Sequence, residues 1–184
     1  DFVVSTTMSL RSVYTFVAIE LGSRRILHTA TTSHPTAAWT TQQLREALPS
    51  DHPYRYLLHD RDSIFSAELD ASISRLGVEI LKSPPRSPKA NSFCERVIGT
   101  LRRECLDWII PLGEGQIRAV VREWMGHYNR GRPHMSLGPG VPEPSDLVPA
   151  ALQPHRHKLP EGLHVAATPL LNGLHHEYRL DRAA

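Results

Sequence analysis

Three acidic residues stand where their side chains could share a metal ion. Asp1 precedes the strand-like run FVVST, Asp60 ends the strand-like run YRYLLHD, and Glu95 lies in a helix-like stretch. Carboxylates from two neighbouring strands and a covering helix would form an all-oxygen cage suited to Mg²⁺ or Mn²⁺. Each residue also has a simpler explanation, because an Asp at a strand end often caps a turn and a lone Glu on a helix is often solvated.

The stretch around Glu95 has the spacing of an amphipathic helix. Its apolar residues recur at intervals that place them on one helical face, namely Cys94, Val97, Ile98, Leu101, Cys105 and Trp108. Prolines precede the stretch and hold the incoming chain out of a helix. We therefore expect the helix to begin near residue 90, with Asn91 or Ser92 as its cap.

Basic residues surround Glu95 and indicate an anionic partner; they are Lys89, Arg96, Arg102 and Arg103. Asn91, Glu95 and Arg102 lie roughly one or two turns apart on a strip beside the apolar face. Arg102 is therefore the best candidate for a phosphate contact. For Arg96 and Arg103, a solvated helix face is an equally good interpretation.

Composition indicates one domain with a tail. The chain has 184 residues, of which 40% are apolar, and its formal net charge of +2 is too small to indicate a nucleic-acid partner by itself. Two cysteines on one helical face predict buried free thiols, which favours a reducing compartment. No apolar run approaches the roughly 20 residues needed to span a bilayer, so we expect a soluble intracellular protein.

Strand-like and helix-like segments alternate along the first 130 residues. We predict three antiparallel strands within residues 2 to 33, a helix, a strand over 54–60, a helix, a strand over 78–83 and two long helices. This order predicts an α/β fold, with a mixed sheet of three antiparallel strands plus parallel strands, flanked by helices.

The last 54 residues differ from the rest, because they hold eight of the fifteen prolines and six of the eleven histidines. We interpret residues 131–184 as an extended C-terminal arm, with a short hairpin around GLHVAATPLLNGLHHEY, and residues 1–130 as the core domain. A metal site built from the histidines is the less favoured alternative, since no zinc-ligand spacing with cysteines is present.

Four sequence features together carry a family resemblance. HDRDSIF, the separation of 35 positions between Asp60 and Glu95, PPRSPKANSFCERVIGTLRREC and HYNRGRPHMSLG resemble the catalytic core of bacterial insertion-sequence transposases and retroviral-type integrases, the DDE recombinases. The resemblance covers about residues 1 to 145. It implies a ribonuclease H-like fold, which agrees with the predicted order of strands and helices.

The resemblance implies a site and an activity. Asp1, Asp60 and Glu95 map to the catalytic, metal-binding D,D,E triad of a two-metal site with Mg²⁺ or Mn²⁺, which cleaves DNA and transfers strands. Asp62 is the rival for the second position. The implied partners are the DNA of element ends and target and further copies of the chain, in the bacterial cytoplasm at the nucleoid. The candidate DNA-binding residues are Lys89, Asn91, Arg96, Arg102 and Arg103.

The sequence also departs from the family pattern. Integrases often carry a basic residue one turn after the Glu, where this chain has Gly99. The chain begins at the first predicted ligand, so we expect part of the first strand and a DNA-binding region to lie upstream, Asp1 to be poorly held, and the chain to be weakly active or inactive. The alternatives are a non-catalytic DNA-binding or assembly remnant and a ribonuclease H-like metal nuclease.

Overall fold

The structure, a computed structural model, describes residues 1–60, 62, 64–84, 91–138, 140–144, 159 and 161–182. Within these residues the strands are β1 (Phe2–Thr6), β2 (Ser12–Ile19), β3 (Ile26–Thr32), β4 (Tyr56–His59), β5 (Glu79–Lys82), β6 (Leu163–Leu170) and β7 (His175–Arg182). The helices are α1 (Ala37–Ala47), α2 (Ala67–Ser74), α3 (Ser92–Glu104) and α4 (Glu114–Arg130). No helix among them is long and apolar enough to cross a membrane.

The first three strands form an antiparallel sheet in the order β1-β2-β3. Phe2 lies opposite Phe16, and Thr15 lies opposite both Val3 and Thr31. The strands are rich in β-branched and aromatic residues, which suit a pleated and half-buried surface. Within the sheet, the hydroxyl oxygens of Thr15 and Thr31 are buried and lie 3.3 Å apart, so each satisfies the other.

The second sheet is a parallel pair, in which Tyr56 lies opposite Glu79 and His59 opposite Lys82. Helix α2 lies between these two strands in sequence, as a parallel connection requires. The prediction of one mixed sheet differs from this result, because no ladder joins the two sheets among the described residues. The Val17 amide in β2 donates to the Asp1 carbonyl oxygen. Residues of β2 and β4, together with Asp1, line a cavity of about 670 Å³.

Apolar side chains from strands and helices form the core that holds this part of the chain together. The buried cluster consists of Phe16, Leu44, Phe65, Leu69, Ile73 and Val78. Helices α1 and α2, which contribute side chains to this cluster, both begin at side-chain caps. The Trp39 amide donates to Thr36 Oγ1, and the Leu69 amide donates to Ser66 Oγ. Such caps satisfy amide groups that the first turn of a helix leaves without partners.

Helix α3 matches the predicted amphipathic face only in part. Cys94, Val97 and Leu101 are buried along it, as the spacing predicts. The helix ends at Glu104, however, and Trp108 lies in a separate turn with 69% of its surface exposed, so the prediction that Trp108 shares the buried face is wrong. The physical reason is the break at Cys105, whose φ of −141° and ψ of −68° end the helical repeat.

The chain divides into two compact units, Asp1–Arg122 and Glu123–Ala184. Helix α4 crosses the division. In the second unit β6 and β7 form an antiparallel hairpin, with Leu163 opposite Arg182 and Leu170 opposite His175. The hairpin lies where the sequence pattern placed one, whereas a domain boundary at residue 130 stays a prediction.

Candidate active site

Asp1 is held from two directions. Its terminal ammonium donates to the Val17 carbonyl oxygen at 3.1 Å, and the Val17 amide donates to the Asp1 carbonyl oxygen at 2.9 Å. One carboxylate oxygen accepts from the Phe2 amide at 2.7 Å and the other from Asn91 Nδ2 at 2.8 Å. The expectation that Asp1 is poorly held is therefore wrong, because Asp1 itself extends the β1–β2 ladder.

Asn91 has a different role from the predicted helix cap. It occupies the position before α3, but its side chain makes no capping hydrogen bond. The carboxamide donates instead to the Asp1 carboxylate. This contact joins the start of β1 to the start of the helix that carries Glu95.

Asp60 directly follows β4 and is half-buried. Its Oδ1 atom accepts from the Asp62 amide at 3.1 Å, so Asp60 also closes the turn that follows the strand. Asp62, the rival ligand, is exposed and makes the same kind of bond, since its Oδ1 accepts from the Ile64 amide at 3.0 Å. Asp60 lies nearer to the sheet, and Asp62 lies in the loop that leads to α2.

Glu95 lies in the first turn of α3 and its side chain is exposed. A carboxylate is favourable there because the amide groups at a helix N-terminus carry partial positive charge. The exposed position leaves the carboxylate able to reach a cation from the solvent side.

The Cys94 thiol is buried beside Glu95 near the start of α3. Burial raises the pKa of Cys94, the Asp1 ammonium lowers it through its charge and a hydrogen bond, and the charges of Asp60 and Glu95 raise it further. Asp1, Asn91 and Cys94 also line the cavity between β2 and β4.

The donor atoms suit a hard cation, because carboxylate oxygens are the ligands that Mg²⁺ and Mn²⁺ prefer. In the part of the chain that the structure describes, no group of three or more His, Cys, Asp or Glu side chains is arranged to hold a metal ion. Clustered carboxylates repel one another. The three side chains would therefore have to turn toward a shared cation from the positions described above.

The predicted basic residues fall into different environments. Arg96 and Arg103 are exposed on α3. Arg102 is exposed as well, but its Nη2 atom donates to the Val4 carbonyl oxygen at 2.9 Å, which fixes the guanidinium beside β1. Lys89 lies outside the described residues. At Gly99 an added Cβ atom would lie 3.0 Å from Arg103 Nη1, so Arg103 reaches over the place where a larger side chain would stand.

A polar cluster next to Asp60 was missed at the level of sequence. His59 is buried, and its ring contacts Asp70 and the Asp60 carbonyl oxygen. Lys82 in turn contacts Asp70. The only available signal was that a histidine directly precedes the predicted ligand, and this signal does not indicate a partner on another helix.

Both cysteines are free and buried, which confirms the prediction of buried free thiols. Cys94 lies on α3 and Cys105 directly follows it. A buried thiol behaves as a small apolar side chain, which is consistent with the burial of both residues.

Comparison with known proteins gives consistent matches. Residues 76–142 match the family model described as Integrase core domain. Over 141 residues the chain is 27% identical to the insertion element IS476 uncharacterized 39.2 kDa protein of Xanthomonas euvesicatoria, a span of 75% of this chain and 40% of that protein. It is 30% identical over 132 residues to transposase InsD for insertion element IS2A/D/F/H/I/K of Escherichia coli, a span of 66% of this chain and 43% of that protein. The chain thus spans less than half the length of either relative.

Solved structures show the same fold at low sequence identity. The catalytic core domain of BIV integrase has a TM-score of 0.56 and 16% identity, with 77% of this chain and 88% of that chain covered. A chain of the simian T-cell lymphotropic virus intasome in complex with PP2A regulatory subunit B56 gamma has a TM-score of 0.63 and 13% identity, with 97% and 64% covered. Together with the motifs around Asp60 and Glu95, these matches confirm the resemblance of the chain to transposase and integrase cores.

Proposed function

We propose that this chain is the catalytic core of a DNA transposase or integrase and that Asp1, Asp60 and Glu95 hold its divalent cations. The observation that carries the proposal is the hydrogen bond from Asn91 to Asp1, which joins the start of β1 to the helix that carries Glu95. The cavity beside Asp1 is also lined by His59, which directly precedes Asp60. The chain's relatives include a transposase, and an integrase catalytic core shares its fold. These likenesses support a phosphoryl-transfer activity on DNA.

Each residue has a distinct part in the proposed site. Asp1 and Asp60 are half-buried and lie at the start of β1 and the end of β4. Glu95 is exposed and lies in the first turn of α3. When bound, Mg²⁺ or Mn²⁺ would activate the attacking oxygen and neutralise the leaving oxygen of a phosphodiester. Asn91 holds the Asp1 carboxylate from α3, so it orients the first ligand.

The basic residues of α3 supply the proposed DNA contacts. Arg96, Arg102 and Arg103 are exposed near Glu95 in sequence, and Lys89 precedes the helix. Such contacts neutralise phosphates and position a duplex without reading its sequence. We also propose that several copies of the chain act together on DNA in the bacterial cytoplasm, because one of the fold's neighbours is part of an intasome.

Metal-dependent cleavage by carboxylate variants tests the catalytic assignment. Supercoiled plasmid DNA is incubated with the chain in Mn²⁺ or Mg²⁺, and both nicked and joined products are measured. Asp60→Asn and Glu95→Gln remove one negative charge each with little change in shape, and we expect each to lower the rate about 100-fold or more. Asp62→Asn is the matched control and should leave more than half of the rate.

The products also separate the alternative functions. Joined products with donor DNA indicate strand transfer, whereas nicking alone indicates a metal nuclease. Unchanged nicking in Asp60→Asn would remove that residue from the site. A chain that binds DNA with no metal-dependent cleavage in either metal would support the non-catalytic remnant instead.

A further inference from the structure

We propose that His59 is a positioning residue for the Asp60 carboxylate, and that Asp70 and Lys82 hold the His59 ring in place. This inference rests on the proposed function, in which Asp60 binds a divalent cation. None of these three side chains would touch the cation. Their effect reaches the site through the main chain of Asp60.

The His59 ring is fixed by packing. Only 3% of the residue is exposed, and the ring stacks on Phe65 with centroids 4.5 Å apart and an interplanar angle of 16°. The main chain is fixed as well, because the Ser83 amide next to β5 donates to the His59 carbonyl oxygen at 3.0 Å. A buried ring with these neighbours has little freedom to take another rotamer.

One ring nitrogen acts on the predicted ligand. His59 Nδ1 lies 2.5 Å from the Asp60 carbonyl oxygen, which can only accept a hydrogen bond. The bond therefore restrains the peptide group that follows the Asp60 Cα atom. Just beyond it, the Asp62 amide donates to Asp60 Oδ1 at 3.1 Å. The ring thus stabilises the turn in which the Asp60 carboxylate is oriented.

The other ring nitrogen is bonded to a carboxylate from α2. His59 Nε2 lies 3.0 Å from Asp70 Oδ1, and the other Asp70 oxygen lies 2.5 Å from Lys82 Nζ. Asp70 is itself only 14% exposed and lies in the first turn of α2, where the helix favours an anion. A carboxylate that orients a histidine, and a histidine that orients a ligand, form the kind of outer support that metal sites use.

Cation affinity of the chain itself is the first readout. Mn²⁺ binding is followed by the loss of the free-ion electron paramagnetic resonance signal, so the test needs no catalysis. We expect His59→Gln and Asp70→Asn to weaken Mn²⁺ binding about 10-fold, which is the usual size of such outer effects. The matched control is His52→Gln, because the His52 ring also bonds a carbonyl oxygen, but that oxygen belongs to Leu76, at 3.1 Å, and not to a predicted ligand.

A conservative pair of variants separates positioning from packing. The amide nitrogen of Asn can stand near the place of Nδ1, whereas that of Gln stands near the place of Nε2. His59→Asn should therefore keep the bond to Asp60 and bind Mn²⁺ more tightly than His59→Gln does. Equal affinities for the two variants, or an effect of His52→Gln as large as theirs, would overturn the proposal.

Hydrogen exchange at Asp62 is a second readout that does not depend on metal. Its amide donates to Asp60 Oδ1, so its exchange rate reports the order of the turn. We expect Asp70→Asn to speed this exchange about 10-fold relative to His52→Gln at matched global stability. No change at Asp62 would overturn the proposal even if a His59 variant fails to fold.

The two proposals fail in distinguishable ways. If Asp60→Asn leaves Mn²⁺ affinity unchanged, the proposed metal site is wrong. If Asp60→Asn removes binding while His59→Gln and Asp70→Asn do not alter it, the metal site stands and the positioning role is wrong.

Discussion

Among single residues, Cys94 couples the ionisation of a buried thiol to the stability of the fold. The thiol is 6% exposed, and its pKa is raised, first by burial and further by the charges of Asp60 and Glu95, against the opposing effect of the Asp1 ammonium. The neutral thiol is therefore favoured in the folded chain. Unfolding releases the thiol into water, where it ionises at its ordinary value.

This coupling predicts a loss of stability at alkaline pH. A raised folded pKa contributes stability that is present below the ordinary thiol pKa of 9.0 and is lost as the pH rises toward the folded value. Between pH 8 and 10 the free energy of unfolding should fall more steeply for the wild type than for Cys94→Ala, by up to about 1.4 kcal/mol per pH unit. Urea unfolding at stepped pH measures both slopes, and parallel slopes would show that Cys94 is not coupled to folding.

Residue types and spacing predicted the candidate ligands but not their supports. Asp60 and Glu95 stand in local motifs, so they can be named from sequence. The bond between His59 and Asp70 joins the end of β4 to α2 across eleven positions. The bond between Asn91 and Asp1 spans ninety positions. Such contacts depend on how elements pack, which local spacing does not encode.

At the scale of elements, local patterns predicted the helices better than the sheets. Helix α3 follows its apolar repeat through Leu101, because periodicity is a property of neighbouring residues. The spacing in the sequence continues the same repeat to Trp108, but the helix ends at Glu104. Strand pairing is harder to predict from sequence. The apolar pattern of β2 and β4 indicates which side chains are buried, but it does not show which strand edges pair.

The core under α2 gives a test of the fold itself. Ile73 is fully buried in the cluster with Phe16 and Leu44, whereas Ile110 is 71% exposed. We expect Ile73→Ala to lower the free energy of unfolding by about 2 to 5 kcal/mol, because it removes buried methyl groups and leaves a cavity.

Ile110→Ala is the matched control, because it makes the same chemical change at the surface, and we expect it to cost under about 0.5 kcal/mol. Urea denaturation followed by circular dichroism measures both variants. Equal losses in the two would show that the cluster does not carry the stability of this unit.

For the molecule as a whole, the formal net charge of +2 is small, but three arginines lie on α3. Arg96, Arg102 and Arg103 are exposed on α3, the helix that also carries Glu95. Attraction to DNA is therefore expected to arise from this surface and not from the overall charge. The chain's two compact units each contain further arginines, so a control must remove the same charge elsewhere.

Salt dependence of DNA binding tests this surface. If Arg102 contacts a phosphate, Arg102→Ala should weaken binding to unrelated duplexes by similar factors and reduce the slope of log affinity against log salt by about one unit. Arg45→Ala is the matched control, because Arg45 is exposed on α1 and removes the same charge away from the candidate site. Because Arg102 also bonds the Val4 carbonyl oxygen, unfolding midpoints are measured for both variants. An unchanged slope in Arg102→Ala would show that Arg102 does not contact a phosphate. Its role would then be the hydrogen bond to β1.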